Sequence, residues 1–373
     1  MGCWEDWSKP VKKFFHRDRP ITRTSNYASL IEPTALLPDS PHKEIHLTHW
    51  VSIDTIPPHV AKWLPTREVR VMSSYVLGKI DLALYGYGAH GETNTGNNLN
   101  KEIDYLNAIP KQREEYDEFG QGFWKNLSLY NASGLIEDTQ YRDTDKCLPT
   151  SYMDQCPTIK RIIDDIFDLH KLKMVRARNL IDGMVMPHRD FVELGNEKRY
   201  FRVFLAIERN DDSFHSDEAG VFQMMPGEIW FLDAGIDHAA VNFSVKSRMF
   251  LCFDFMLTHD EDERCIFKDN ANIDFNVKTK HINRHKIDDH QKQIIIENTS
   301  ALLNKNTFKD LTFTLSKLHF THDIEVREAY DLLIEAAKKS KMTELLNKAT
   351  SLKRYMVEQR SMGERFSINS WQA

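Results

Sequence analysis

Short apolar runs bounded by turn residues fill the chain between about residues 171 and 258. They are rich in valine, phenylalanine and isoleucine, which are typical of β-strands. Several such runs at this spacing predict a β-sandwich or barrel. An earlier run, VRVMSSYVLGKIDL, predicts another strand, and the Pro-Gly pair of MPGE predicts a turn inside a hairpin. The main runs are KMVRARNL, YFRVFLAIE, GVFQMMPGEIWFLDAG and RMFLCFDFML.

A different periodicity begins near residue 290. Apolar residues recur there at helical spacing, which predicts helices that each turn one apolar stripe towards a core. We expect these helices to form a bundle that packs on the β-rich part. The stripes comprise Phe308, Leu311, Leu315 and Leu318, then Val326, Ala329, Tyr330, Leu333 and Ala337, and then Met342, Leu345, Leu346, Ala349 and Leu352.

Two segments interrupt this pattern. Frequent prolines in residues 1–70 predict an irregular or partly helical extension, where His46 and His49 are most simply surface histidines. The glycine- and asparagine-rich segment at residues 84–98 predicts a flexible loop. It lacks the Gly-Lys-Ser/Thr ending of a phosphate-binding loop, which disfavours nucleotide binding.

Composition narrows the class of protein. The chain has 373 residues, a formal net charge of −6 and a pI near 6.2, with no clustered basic face for nucleic acid. No apolar stretch is long enough for a membrane span, and the N-terminus does not resemble a secretory signal. Five widely spaced cysteines without a CxxC pair favour reduced thiols in a cytoplasmic protein. We therefore expect neither nucleic acid nor a membrane as a partner; the oligomeric state stays open.

Candidate chemistry is concentrated in the run MVMPHRDFVEL. In an extended chain, residues two apart face the same side, so His188 and Asp190 would project together while Arg189 points away. His238, at the start of a later strand, is a candidate third ligand. Two histidines and one carboxylate on one face of an ion form the facial triad of non-haem Fe(II) oxygenases. Zinc would also accept these ligands.

An arginine extends this interpretation. Such iron enzymes commonly use 2-oxoglutarate with O2, and the far carboxylate of 2-oxoglutarate needs a basic partner, for which arginine is well suited. Arg248 lies ten residues after His238 and opens the apolar run RMFLCFDFML. A charged group at a buried position needs a partner, so we expect Arg248 to bind the cosubstrate. A protein that only carries metal would not need it.

The sequence also resembles bacterial L-proline 3-hydroxylase, a family related to the aspartyl/asparaginyl β-hydroxylases. The resemblance runs from about residue 72 to Trp371. It implies a mainly β fold, a double-stranded β-helix (jelly roll) with added helices, and Fe(II)- and 2-oxoglutarate-dependent hydroxylation of a free amino acid, L-proline at the 3-position. The matching stretches include EEYDEFGQGFWKNLSLYNASG, RARNL, PHRDFVEL, YFR, FHSD, GEIWFLDA, HAAVNFS, LSKLHF and ERFS.

The resemblance assigns provisional roles to individual residues. It implies that His188, Asp190 and His238 bind iron, that Arg248 holds 2-oxoglutarate, and that His215 contacts the same cosubstrate. Three arginines are candidates for the amino acid's carboxylate, although ion pairing on the sheet is an equally simple role for them. Aromatic and amide residues of the FWKN run are candidates for lining the pocket, with core packing as the alternative. The arginines are Arg176, Arg178 and Arg202. The pocket candidates are Trp124 and Asn126, with Tyr130 and Asn131 further along the same matching stretch.

We accordingly divide the chain into an N-terminal extension (1–70), a jelly-roll oxygenase domain (71–285) and a C-terminal helical domain (286–373). Val203 and Phe204 depart from the family, which carries a polar pair ending in histidine there. This departure leaves the substrate and the oxidised carbon open. Products of such enzymes often enter peptide antibiotic assembly.

Three alternatives stay open. L-lysine, L-pipecolate or L-citrulline would suit the same scaffold; Glu193 is a candidate partner for a lysine amine, but the family motif contains it too. A peptide or protein hydroxylase of the aspartyl/asparaginyl type would need an open groove. A non-enzymatic metal-binding jelly roll would leave Arg248 unexplained.

Overall fold

The computed structural model describes residues 74–88, 98–112, 117–190, 198–258, 260–361 and 364–371. All of these belong to one compact unit, Val69–Ala373. The N-terminal extension with His46 and His49, residues 89–97 of the glycine-rich segment, and Glu193 lie outside the described residues. The short 3-10 helix Leu82–Tyr85 includes the first two residues of that segment, Leu84 and Tyr85. The three domain boundaries stay predictions.

The described residues contain a ten-stranded antiparallel sheet that curls into a jelly roll. Eight strands are paired in the order β1-β8-β5-β10-β4-β9-β6-β7, while β2 pairs with β4 and β3. The expected mainly β fold with added helices is confirmed. The strands are β1 (Ser74–Lys79), β2 (Gly120–Asn131), β3 (Leu148–Pro149), β4 (Leu172–His188), β5 (Lys198–Ala206), β6 (Ser213–Asp217), β7 (Gly220–Phe222), β8 (Glu228–Leu232), β9 (His238–Asn242) and β10 (Met249–Thr258).

Strand β4 joins the two halves of the roll. Its first half pairs with β10 and its last residues pair with β9. The partner changes at Asp182 and Gly183, where Asp182 has a φ of 43°. A Cβ on Gly183 would lie 1.8 Å from the Gln121 carbonyl oxygen of β2, so only glycine allows this approach. The long strand carries its last residue, His188, to the mouth of the roll.

The predicted Pro-Gly turn exists, but the predicted hairpin is wrong. Glu228 N donates to Met225 O at 2.9 Å, and Gly227 has a φ of 85°, as a turn with Pro at its second and Gly at its third position requires. However, β7 pairs with β6, whereas β8 pairs with β1 and β5. The turn therefore connects the two halves of the roll, because β7 and β8 each pair with strands other than one another.

Alternation along β10 separates core from cavity. Leu251, Phe253 and Phe255 are buried in the apolar cluster that also holds the inner faces of helices α1 (Asn98–Ala108) and α2 (Pro157–Ile166). Phe250 and Cys252 point the other way, into a smaller cluster with Phe204, Phe222 and Trp230. This two-residue period places Asp254 and Arg248 on the inner face.

The C-terminal region is helical and packs on the second half of the roll. Its apolar stripes share one cluster with Met184, Met186 and Val241 of the sheet, which confirms the predicted packing. Met342 is an exception: it precedes the last α-helix and is 42% exposed. No helix among the described residues could cross a membrane. The helices are α3 (Asp289–Leu302), α4 (Phe308–Ser316), α5 (Leu318–Thr321), α6 (Glu328–Ser340) and α7 (Thr343–Lys353), followed by a π-helical turn, Arg354–Glu358.

Candidate metal and cosubstrate site

The three proposed metal ligands meet at the mouth of the jelly roll. His188 ends β4, His238 begins β9, and the two residues face each other in the strand register. Their ring centroids are 4.1 Å apart. One donor atom each from His188, Asp190 and His238 lies within 4.8 Å of the other two. The sequence separation of 50 residues between the histidines is thus closed by antiparallel pairing.

Both imidazoles present a free nitrogen. Nδ1 of His188 lies 2.8 Å from the Met186 carbonyl oxygen, and Nδ1 of His238 lies 2.9 Å from that of Ile236. A carbonyl oxygen only accepts, so Nδ1 carries the proton and Nε2 keeps its lone pair. Burial lowers the pKa of His188 and lowers that of His238 to about 3. Neutral histidines with oriented Nε2 atoms are suited to bind a metal ion.

Asp190 is held by groups outside its own strand. It lies two residues beyond the end of β4, and its backbone N donates to the Ala234 carbonyl oxygen at 2.7 Å. Its Oδ2 accepts from Arg202, while Oδ1 lies 3.6 Å from Nε2 of His188. Burial alone would raise the pKa of Asp190, but the neighbouring groups, Arg202 foremost and then His188 and His238, together outweigh it and hold the pKa well below its usual range. The carboxylate is charged and keeps one oxygen for a metal ion.

The buried carboxylate of Asp254, which the sequence did not predict as a site residue, pairs with two of the three candidate arginines. Asp254 is fully buried and accepts hydrogen bonds from Arg176, from Arg202 at 2.9 Å and from the Tyr200 hydroxyl. Burial would raise the pKa of Asp254, but Arg176 and Arg202 hold it well below its usual range. The sequence signal that could have identified Asp254 is its position within the apolar strand β10, on the inner face.

Loss of the Asp254 charge should destabilise the fold. In an Asp254→Asn variant, Arg176 and Arg202 would stay buried without their shared anion, and breaking such a pair costs about 3–5 kcal/mol. We expect a loss of this size in urea unfolding. The control is Asp331→Asn, which removes a half-exposed partner of Lys353 and should cost at most about 1 kcal/mol. Equal losses in both variants would refute a special role for Asp254.

Arg178 is the candidate arginine that stays unpaired. Among the described residues no carboxylate pairs with it, and its buried Nε has no hydrogen-bond partner. Its guanidinium lies 5.6 Å from the centre of the Phe204 ring. Asn126 faces it from β2 and also has a buried, unpartnered Oδ1, and Trp124 lies two residues earlier on the same strand, opposite Leu180. This corner offers both a cation and an amide to a small polar ligand.

Arg248 forms a second unpaired cation inside the roll. It is only 5% exposed, and its Nη1 donates to the Ser213 hydroxyl at 3.3 Å. Its Nε has no partner, and no described carboxylate pairs with it. Burial, and then the nearby Arg178, lower the pKa of Arg248 to about 9, so it is still protonated at pH 7. A buried charge without a counter-ion fits a ligand that supplies a carboxylate.

His215 lies beside Arg248 on the inner face. It is buried, and its ring lies 5.4 Å from that of Phe250 and 5.7 Å from that of Phe204. Burial, and then the Arg248 charge, lower its pKa well below the usual value, so the imidazole is neutral. Together, the triad, Arg248, His215 and Arg178 line one interior in which a metal ion and two small anions would be complementary.

An antiparallel jelly roll with two histidines and one carboxylate around one point defines a candidate mononuclear non-haem metal oxygenase. Comparison with known proteins specifies the family. Residues 96–258 match the model of aspartyl/asparaginyl beta-hydroxylases, and residues 263–364 match the model of the L-proline 3-hydroxylase C-terminal region. Each of two adjoining segments of the chain therefore matches one family model.

Three curated relatives agree with these matches. The chain is 40% identical over 305 residues to L-proline cis-3-hydroxylase 2 of Streptomyces sp, covering 80% of this chain and 100% of that protein. It is 37% identical over 303 residues to L-proline cis-3-hydroxylase 1 of Streptomyces sp, with 80% and 100% coverage. It is 28% identical over 253 residues to L-proline cis-4-hydroxylase of Rhizobium meliloti (strain 1021), with 67% and 88% coverage. The chain belongs to the L-proline 3-hydroxylase family, which confirms the expected family and the expected enzyme class.

Proposed function

We propose that this protein is an Fe(II)- and 2-oxoglutarate-dependent dioxygenase that hydroxylates free L-proline at the 3-position and releases succinate and CO2. The observation that carries the proposal is the joint placement of the His188–Asp190–His238 triad and the unpaired Arg248 in one interior. The names of the two relatives that the chain covers in full support proline as the substrate.

The metal-binding role rests on the donor set. Two neutral imidazoles and one carboxylate suit Fe(II) and leave positions open for other ligands. Bound iron, with 2-oxoglutarate and O2, supplies the oxidising power for an unactivated C–H bond. His188, Asp190 and His238 would hold this ion. Arg202 keeps Asp190 oriented by occupying its other oxygen.

The two unpaired arginines, Arg248 and Arg178, would each bind the carboxylate of a different small molecule. Arg248 would pair with the far carboxylate of 2-oxoglutarate, next to the neutral ring of His215. Arg178, with Asn126 beside it, would bind the carboxylate of the amino acid. Arg176 and Arg202 are already paired with Asp254, so for them we propose a supporting role in place of direct substrate contact. Phe204, Phe222 and Trp230 belong to an apolar cluster on the same inner face, and an apolar surrounding strengthens ion pairs.

The charges of the site favour proline over lysine. A lysine substrate needs a carboxylate for its distal amine. Two buried carboxylates near the triad and Arg178, Asp190 and Asp254, both accept from arginine already. Proline needs no such partner, because its ring presents only carbon and one amine. One relative is named as a cis-4-hydroxylase, so the carbon that is oxidised has to be tested separately from the substrate.

A panel of amino acids tests the proposal. The protein is incubated with Fe(II), 2-oxoglutarate, O2 and one of L-proline, L-pipecolate, L-lysine or L-citrulline, and succinate is measured. We expect proline to give the fastest release, with a product that carries one added oxygen, placed at C3 by NMR. A zinc-loaded sample and a peptide that contains aspartate and asparagine are the controls. Absence of stimulation by every free amino acid would refute the proposal, and a 4-hydroxylated product would refute the assigned position.

A further inference from the structure

The C-terminal helices contact the backbone that carries two of the metal ligands. The Tyr330 hydroxyl, on α6, donates to the carbonyl oxygen of Pro187. The backbone N of Arg189 donates to the carbonyl oxygen of Met356 at 2.9 Å. Met356 lies in the π-helical turn, where Gln359 N bonds to Arg354 O, five residues back. Residues on both sides of His188 are thus hydrogen-bonded to the helical region.

A buried carboxylate next to His238 makes the same connection. Asp237 is 1% exposed and accepts from Arg189 through one oxygen and from Arg327 through the other. Arg189 also donates to Glu218 at 2.9 Å. Arg189 stands between His188 and Asp190, and Arg327 directly precedes α6. Asp237 therefore ties the two ligand-bearing segments to each other and to the helices.

The hydrogen bonds to the helices take the place of strand pairing beyond the end of β4. Because β4 ends at His188, Asp190 lacks the regular pairing that fixes strand residues. Its backbone is attached to the roll only through the single bond to Ala234 among the hydrogen bonds described, whereas Pro187 and Arg189 are attached to the helices. Metal ligands must be held to within about 0.5 Å by their surroundings. The helices are well placed to provide this restraint.

We propose that the C-terminal helical region is a built-in part of the metal centre, in which Arg327 and Tyr330 are positioning residues for His188, Asp190 and His238. Neither residue touches the ion; Arg327 acts through Asp237 and Tyr330 through Pro187. The inference rests on the proposed metal-binding function of the triad. It goes beyond that function because it assigns a role to a part of the chain that contributes no ligand.

Binding of Co(II), followed by its visible d–d absorption, tests this proposal without turnover. Arg327→Met and Tyr330→Phe are compared with the unaltered protein. The matched control is Lys292→Met. Lys292, on α3, pairs with Glu328 of α6, and its side chain is 31% exposed against 32% for Arg327. Removal of partners that orient metal ligands typically weakens binding by about 10–100-fold. We expect Co(II) binding to be about tenfold weaker in both test variants and unchanged in the control. The melting temperatures of all three variants should be similar.

The outcomes separate the two levels of inference. If the unaltered protein fails to bind Co(II), the proposed function fails. If it binds and both test variants bind equally well, the positioning role alone is refuted. If Arg327→Met does not fold, Tyr330→Phe, which removes a single hydroxyl, decides the matter. An equal loss of affinity in Lys292→Met would also refute the proposal, because general loosening of the helices would then explain the effect. Arg327→Lys, which restores the charge, should recover part of the affinity.

Discussion

Replacement of Asp190 by alanine is expected to abolish hydroxylation and to remove the Co(II) d–d absorption. Asp190 supplies the carboxylate of the triad, and its charge is maintained by Arg202 against the cost of burial. Losing a group that merely orients a ligand costs about 10–100-fold in affinity, so loss of the ligand itself should reduce kcat/KM by at least about 10³-fold. Succinate release with proline and a Co(II) titration measure the two effects.

Asp211→Ala is the control for this prediction. Asp211 is an exposed aspartate that pairs locally with Arg209, and its side chain is 66% exposed. Its removal should change neither metal binding nor turnover. Parent-like activity of Asp190→Ala would refute the metal site, because no other described group of three potential ligands brings its donor atoms this close together.

The second large effect is expected at Arg248. In an Arg248→Met variant, we expect the KM for 2-oxoglutarate to rise by about 10–100-fold, since hydrogen bonds to charged groups contribute roughly 1.5–3 kcal/mol. Metal binding should be unchanged. The ligand-free protein should be at least as stable as the parent, because burial lowers the pKa of Arg248 to about 9 and so disfavours its charged form. Steady-state kinetics and thermal melting with and without 2-oxoglutarate test both statements.

Arg199→Met is the matched control. The guanidinium of Arg248 lies 4.5 Å from the ring centre of Phe250, and that of Arg199 lies 5.4 Å from the ring centre of Phe201. Arg199 differs in that it pairs with Glu263. This variant should leave the KM for 2-oxoglutarate unchanged. Bound 2-oxoglutarate should raise the melting temperature of the parent by mass action and should do so much less in Arg248→Met. An unchanged KM and an unchanged thermal shift would assign the cosubstrate to another residue.

Local pattern was sufficient for much of the fold. The two-residue period of RMFLCFDFML predicts a strand with distinct faces, and the helical spacing of Tyr330, Leu333 and Ala337 predicts a core stripe; all three of these residues are buried. Both features depend on backbone geometry that each segment adopts by itself. Met342 has the same apolar character, but it lies just before a helix, where the stripe has not begun.

Strand partners were harder to predict. GVFQMMPGEIWFLDAG has the pattern of a hairpin, yet its two strands belong to different halves of the roll. A turn brings neighbours close, but pairing is decided by the hydrophobic faces of strands far away in sequence. The same is true of β4, whose partners change along its length.

The sequence by itself determined the residue types of the site: His188 and Asp190 two apart, His238 on a later strand, and an arginine at the start of an apolar run. Only the tertiary structure decided which charges meet. Arg176, Arg178 and Arg202 are indistinguishable as sequence candidates, and Asp254 pairs with two of them and leaves Arg178 free. Ion pairs in a folded core depend on distances between strands, which long-range packing sets; the chemistry of a side chain is present before folding, but its partner is not.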